Sequence, residues 1–374
     1  MKLKKQIKYL LLNCFTLLLS VQFIAVAKPN NETKITRTTS KSFRVNPDVD
    51  VSLTNKYGKV IVNTWEKPTV KVEVNVTAFG KNEEVVQKLL KRVDLDFDDS
   101  DRYVDIQTVL DRKSGFLQDV WNTISDQAKV VFNKNRIQID YELYVPQMAE
   151  VSINNKFGDV FLGELEGQCN VRVSHGNLRV ESLKEMSKLH VNFGKATLKS
   201  VEQAVLNLQG GTADVNYANM LELNSHASDV SIDAVNELRL DTRSGSLRIR
   251  QAKLVSGKST FTKINIDKFT QDLSLKLHFG DLIIREITDQ FSQIAIESKS
   301  TDIDFYFHPT AYFDWSITSK EDKTHLPSSA TIQSNTYNED EKLQTQKGAI
   351  GKQKAAIAHV SIYADGGDVN IRLL

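Results

Sequence analysis

A turn motif that returns every 17–18 residues constrains this chain more than any other feature. Asn155-Lys156-Phe157-Gly158-Asp159-Val160 nearly repeats Asn55-Lys56-Tyr57-Gly58-Lys59-Val60. Related turns follow at His175-Gly176-Asn177, Phe193-Gly194-Lys195, Ser244-Gly245-Ser246, Phe279-Gly280-Asp281 and Gly366-Gly367-Asp368. With the turn residue as anchor, apolar residues fall two, four and seven places on. Gly158 is followed by Val160, Leu162 and Leu165, and Gly280 by Leu282, Ile284 and Ile287. Between them Gly176, Gly194, Gly211, Ser228, Gly245 and Thr262 anchor the same pattern, at steps of 18, 18, 17, 17, 17, 17 and 18 residues. Gly58 and Gly367 fit the scheme on either side.

Apolar residues two apart belong to a strand with one buried face. A second alternating pair precedes each turn, as in Val171/Val173, Leu189/Val191 and Leu275/Leu277. Each unit is therefore strand, bend, strand, turn. One unit cannot bury its own apolar face, whereas stacked neighbours build a continuous core. The expected fold is all-β: a stacked β-strand solenoid, β-helix- or β-roll-like, with 17–18-residue coils. An antiparallel sandwich with regular strand spacing is the alternative. It explains eight evenly spaced anchors less well.

The rest of the chain is organised around this stack. Lys2, Lys4, Lys5 and Lys8 precede a mainly apolar stretch from Leu10 to Ile24 and an Ala25-Val26-Ala27 cleavage site. That pattern reads as a signal peptide over 1–27, followed by a flexible leader over 28–42. Residues 43–145 read as an N-terminal β cap carrying two short helical insertions, at 83–92 and 116–132. The solenoid repeats occupy 146–317. The Ser-, Thr-, Gln- and Asn-rich stretch 318–356 reads as a polar loop, and 357–374 as closing strands.

Composition narrows the function classes. Removing the signal peptide takes four lysines and no acid from a chain of formal charge +1, leaving it slightly negative. Nothing in that balance favours nucleic acid. No further apolar run is long enough to span a bilayer after signal cleavage. Cys169 alone remains, so no internal disulfide is expected; it reads as a small core residue. His175, His226 and His278 sit near turns three coils apart. At ~4.8 Å per coil they are too distant to share an ion. Asp159, Asp229, Asp281, Asp302 and Asp368 follow turns, but Asn177, Lys195, Thr212, Ser246 and Lys263 occupy the same column, so a calcium column is not expected. The run Asp94, Asp96, Asp98, Asp99 and Asp101 reads as a solvated strand face. No catalytic, metal-binding or cofactor-binding residue is assigned.

Three stretches carry a family resemblance: Asn55 to Val60 leading to Trp65, Ile139 to Pro146, and Asn155 to Val160 leading to Leu162-Gly163-Glu164-Leu165. With the later turns they resemble the bacterial putative-adhesin family of β-strand-repeat proteins, an exported family of unknown function. The resemblance covers residues 43–374 and implies a binding role at the cell envelope, without catalytic residues. The expectation is an exported, non-enzymatic binding or scaffold protein of the periplasm or cell surface, its partner an unidentified protein or glycan. The alternatives are a polysaccharide-active enzyme on a solenoid, which needs clustered acids in a groove, and an accessory of envelope signalling or assembly.

Overall fold

The computed structural model describes residues 32–110, 136–351 and 358–374. The expected signal peptide and the expected helix at 116–132 lie outside the described residues.

The repeat becomes a stack of two-strand coils. β8 (Glu150–Lys156) turns at Gly158 into β9 (Val160–Leu165), and β10 (Cys169–Ser174) turns at Gly176 into β11 (Leu178–Leu183). β10 runs parallel to β8, with Cys169 opposite Val151, and parallel to β12 (Ser187–Asn192), with Cys169 opposite Ser187. β11 lies likewise between β9 and β13 (Lys195–Gln209), with Leu178 facing Val160 on one side and Ala196 on the other. The ladder continues through β14 (Thr212–Ile287) and β15 (Gln293–Phe307). β14 has no break across its bends, so one strand runs through four anchors.

The periodic apolar residues explain why the stack forms. All of those two, four and seven places after the eight anchors are buried. Fully burying a Val, Leu or Ile side chain is worth roughly 1.5–3 kcal/mol, so each coil contributes a similar increment to one core. That core is continuous from Phe43 to Ile371.

Both ends are threaded out of sequence order. β2 (Asp50–Lys56) and β3 (Val60–Trp65) lie on β8 and β9, placing Val60 opposite Val160. Outside them lie β6 (Tyr103–Leu110) on β2 and β7 (Arg136–Pro146) on β3. Antiparallel strands finish this end. β5 (Val93–Asp99) pairs with β6, β4 (Thr69–Gly80) with β7, and β1 (Thr33–Arg44) with β4. Helix α1 (Glu83–Leu90) packs on β4 and β1 and is capped by Asn82, whose Oδ1 accepts from the Val85 N–H at 3.0 Å.

At the other end β20 (Ala358–Asp365) and β21 (Val369–Leu373) insert between β15 and the earlier strands β16 (Phe313–Ser319) and β17 (Thr324–His325). β19 (Leu343–Ile350) pairs antiparallel with β16, and β18 (Thr331–Asn338) with β19.

Three expectations from sequence need correction. Most of the expected leader 28–42 is β1, held by twelve registered pairs with β4. The expected polar loop 318–356 contains β17, β18 and β19. β18 is exposed throughout and β19 buries only Leu343, Gly348 and Ile350, so neither shows a period-two apolar signal, and Thr-rich sequence suits an exposed strand such as β18. The last strands, at 358–374, do not close the stack but sit one rung inside it. The expected helix at 83–92 is present as α1, the one helix among the described residues. No helix among them is long and apolar enough to cross a membrane.

Candidate functional site

The turn after the first strand of each coil builds a distinctive edge. The residue before each anchor adopts left-handed backbone: Tyr57, Phe157, His175, Phe193, Ala227, Ser244, Phe261, Phe279 and Ser300 have φ between 49° and 68°, and Gly210 has φ 62°. Bulky residues adopt this region at a cost of about 1–2 kcal/mol. The anchor itself lies against the coil below. A Cβ on Gly176 would stand 2.1 Å from the Gly158 carbonyl oxygen.

Coil stacking brings the left-handed residues into a column, and several are aromatic. Tyr57 stacks on Phe157 at 5.5 Å between ring centroids, Phe157 on His175 at 5.1 Å, and His175 on Phe193 at 5.1 Å. Phe261 stacks on Phe279 at 4.8 Å. The column is a surface feature: Phe193 is 54% exposed, Phe261 56% and Phe279 42%. Lys56 Nζ lies 4.7 Å from the Tyr57 ring centroid, a cation–π contact. Between Phe193 and Phe261 the column holds only Gly210, Ala227 and Ser244. The edge is therefore notched between two aromatic blocks. The Phe193 ring leans over Gly210, where a Cβ would meet ring carbons at 2.9 Å.

Polar side chains brace this edge. Asn155 Nδ2 donates to the carbonyls of Gly58 and Gly158, each at 2.9 Å, and Asn55 Nδ2 donates to Ile139 O at 3.0 Å. The Asn-Lys-aromatic-Gly motif thus has a physical reading. Asn ties the turn carbonyls, Lys covers a ring, the aromatic residue enters the column, and Gly admits the neighbouring coil.

One residue past the anchor, Asp159 Oδ1 accepts from the Asn177 N–H at 2.8 Å, and Asn177 Oδ1 from the Lys195 N–H at 3.0 Å, each across 18 residues. Asp302 Oδ1 does the same for the Asp368 N–H at 2.9 Å. Asp229 accepts from Ser246 Oγ at 2.6 Å, and Asp281 pairs with Lys263 at 3.6 Å. The turn acids are therefore clamps between coils.

The other residues singled out in the sequence are dispersed. His175 is in the aromatic column, while the His226 carbonyl accepts from Ser228 Oγ at 2.8 Å. His278 lies beside Glu297, whose carboxyl is held below its usual range mainly by the Lys276 hydrogen bond. Among the described residues no group of three His, Cys, Asp or Glu side chains is placed to hold a metal ion. Burial pushes the Cys169 thiol up to about 12, which makes it a poor nucleophile. Asp94, Asp96, Asp98 and Asp99 are exposed along β5.

The flat faces carry alternating charge. Glu181 pairs with Lys199 at 3.0 Å, Asp233 with Arg250 at 3.5 Å, Asp241 with Lys258 at 3.0 Å, and Asp267 with Arg285 at 3.6 Å. Paired signs one coil apart leave no single-sign stripe over these coils. The aromatic column escapes a reading centred on the anchor. Aligning the residue before it would have revealed it, because aromatic rings recur there.

Residues 195–372 match the family described as Toastrack DUF4097. Over those residues the chain is similar to the Toastrack domain. Its match begins at β13 and ends in β21, so Phe261 and Phe279 lie inside it and the Tyr57–Phe193 block before it. Solved structures similar to the chain include a putative adhesin from Bacteroides fragilis NCTC 9343, at 11% identity over 72% of this chain and 97% of that one, with a TM-score of 0.29. A putative adhesin from Parabacteroides distasonis ATCC 8503 is 15% identical over 72% and 97%, with a TM-score of 0.32. One from Parabacteroides merdae ATCC 43184 is 13% identical over 71% and 96%, with a TM-score of 0.28. Scores this low establish no shared overall shape. No curated protein matches the chain.

Proposed function

We propose that this chain is an exported, non-enzymatic binding protein of the cell envelope, and that it contacts its partner through the aromatic turn edge. The observation that carries the reading is the exposure of Phe193, Phe261 and Phe279 on one edge while ion pairs neutralise the flat faces. Three exposed phenylalanines held in left-handed backbone oppose both solvation and local conformational preference. Binding is the simplest benefit that offsets both. An aromatic edge suits a glycan or a protein, since rings give large contact areas at low entropic cost. The export half of the proposal rests on the basic, apolar and Ala-x-Ala segments of residues 1–27.

The competing reading is a polysaccharide-active enzyme. It requires two acids facing one another across a groove. The turn acids instead hold backbone N–H groups or ion-pair partners, which favours binding over hydrolysis.

The test uses the purified chain in glycan-array and whole-cell adhesion assays, beside a variant carrying Phe193→Gly, Phe261→Gly and Phe279→Gly. Glycine suits these φ values, so the variant should keep its β-rich circular dichroism. Capture should fall at least tenfold. Equal capture by both proteins would remove the aromatic edge from the proposal, and no capture by the unmodified chain would remove adhesion.

A further inference from the structure

The two ends of the stack are finished differently. At the N-terminal end, among the described residues, β1 pairs only with β4 and β5 only with β6. β1 carries Lys34, Arg37, Lys41 and Arg44, and α1 packs against it. Arg37 Nη2 donates to Val93 O at 2.6 Å, tying β1 to the start of β5. β5 carries Asp94, Asp96, Asp98 and Asp99. Charge along an edge discourages the addition of another strand. At the C-terminal end the outermost strand is β18, which pairs only with β19 among the described residues. Its sequence, Thr-Ile-Gln-Ser-Asn-Thr-Tyr-Asn, holds neither charge nor proline, and all eight residues are exposed.

We propose that β18 is a homodimerisation edge, at which two copies of this chain join β18 to β18 antiparallel across a two-fold axis beside Asn335. The register against β19 shifts between Ile332 and Ser334, so Gln333 is an extra residue. Ile332, Asn335 and Tyr337 thereby share the face of Gly348, Gln346 and Gln344. Gly348 pairs in turn with the buried Trp315, so this face continues the core face of β16.

The strand is self-complementary in one register. Setting Asn335 opposite the partner's Asn335 places Ile332 opposite the partner's Tyr337, and Tyr337 opposite the partner's Ile332. Ser334 then meets the partner's Thr336, and Thr331 the partner's Asn338. No pair includes a charge. Ile332, 57% exposed, and Tyr337, 51% exposed, are covered twice over, and aliphatic–aromatic cross-strand pairs are favourable. The acidic hairpin tip Glu339-Asp340-Glu341 falls beside the partner's Ala330, Ser329 and Ser328, all neutral. A parallel arrangement sets the two acidic tips side by side. The two-fold contact also closes on itself, so it consumes the open edge without building a filament. A dimer joined at this end holds two aromatic turn edges in one particle, and bivalence raises avidity without a new contact.

An introduced cysteine tests the register. Directly opposed residues of antiparallel strands have Cα atoms about 4.5–5.5 Å apart, within disulfide reach; Cys169 is buried, and Cys14 is replaced by serine in both cysteine variants. Asn335→Cys should give a disulfide-linked dimer under mild oxidation, while Thr345→Cys on β19 should not. Light scattering of the purified full chain across the micromolar range should report two chains per particle. Asn335→Lys, which opposes two ammonium groups, should report one with unchanged circular dichroism. A single-chain mass for the unmodified protein, a dimer that survives Asn335→Lys, open-ended growth, or equal cross-linking at Thr345→Cys would each overturn the proposal.

Discussion

Gly176 leaves no room for a side chain, because a Cβ there would press on the Gly158 carbonyl oxygen. Backbone would have to move, and the coil spacing is fixed by hydrogen bonds on both sides. Gly176→Ala should therefore cost about 3 kcal/mol or more, among the larger single-residue effects, read as a fall in the denaturant midpoint. An unchanged midpoint would show that the coils can open locally. Two buried acids make stability depend on alkaline pH. Burial raises the Cys169 thiol from 9.0 to about 12 and the Tyr141 hydroxyl from 10.0 to about 12. Both are neutral in the fold and ionise more easily once unfolded. Their stabilisation is complete below about pH 9 and is lost as pH rises towards 12. Stability should fall there by up to about 1.4 kcal/mol per pH unit for each group. Chemical denaturation at pH 8, 10 and 11 measures it, and Cys169→Ala should remove one share of the slope.

At the scale of elements, the contrast lies between strands fixed by burial and pieces fixed locally. The repeat strands need no special signal beyond their alternation. Helix α1 is short, and Asn82 satisfies one of its free N–H groups. Removing the cap with Asn82→Ala should cost about 1 kcal/mol. Hydrogen exchange at residues 85–90 should quicken while the amides of β10 and β11 stay protected. Equal loss of protection in both regions would mean that α1 is coupled to the whole stack. β18 and β19 show the opposite case, strands written in polar residues and placed by their neighbours.

For the whole molecule, the stack is a nearest-neighbour object. Side chains hydrogen-bond across 17 residues within β14, as in Asn236 to Asn219 and Thr242 to Ser259. Deleting Asp229–Gly245 joins Ser228 to Ser246 and removes one whole coil. The shortened chain should fold, keep its β-rich circular dichroism, and lose about 4.8 Å of length by small-angle scattering. The deletion also narrows the notch between Phe193 and Phe261 by one coil. Aggregation or loss of cooperative unfolding would show that the coils are not interchangeable. The ends are not modular in this way. Asn155 reaches Gly58 across 97 residues, and Ser298 reaches Tyr363 across 65. Such distant pairings carry a closure cost before they form.

The repeating interior is legible in the residues alone. The period, the anchors and the buried positions of every coil are local, because each coil meets a near copy of itself 17 or 18 residues away. Helix α1 is legible too, through its spaced apolar residues and its cap. The threading of the ends emerges only in the folded chain, since the pairing of β2 with β8 or of β20 with β15 joins segments that leave no periodic mark on one another. The fold also made strands of β1, β18 and β19: β1 and β18 are largely exposed, and β19 buries only Leu343, Gly348 and Ile350, so none carries a sustained apolar alternation. The aromatic column was decided there as well. Tyr57, Phe157, His175 and Phe193 are 18 or 100 residues apart in the chain, and only parallel stacking of the coils brings their rings together.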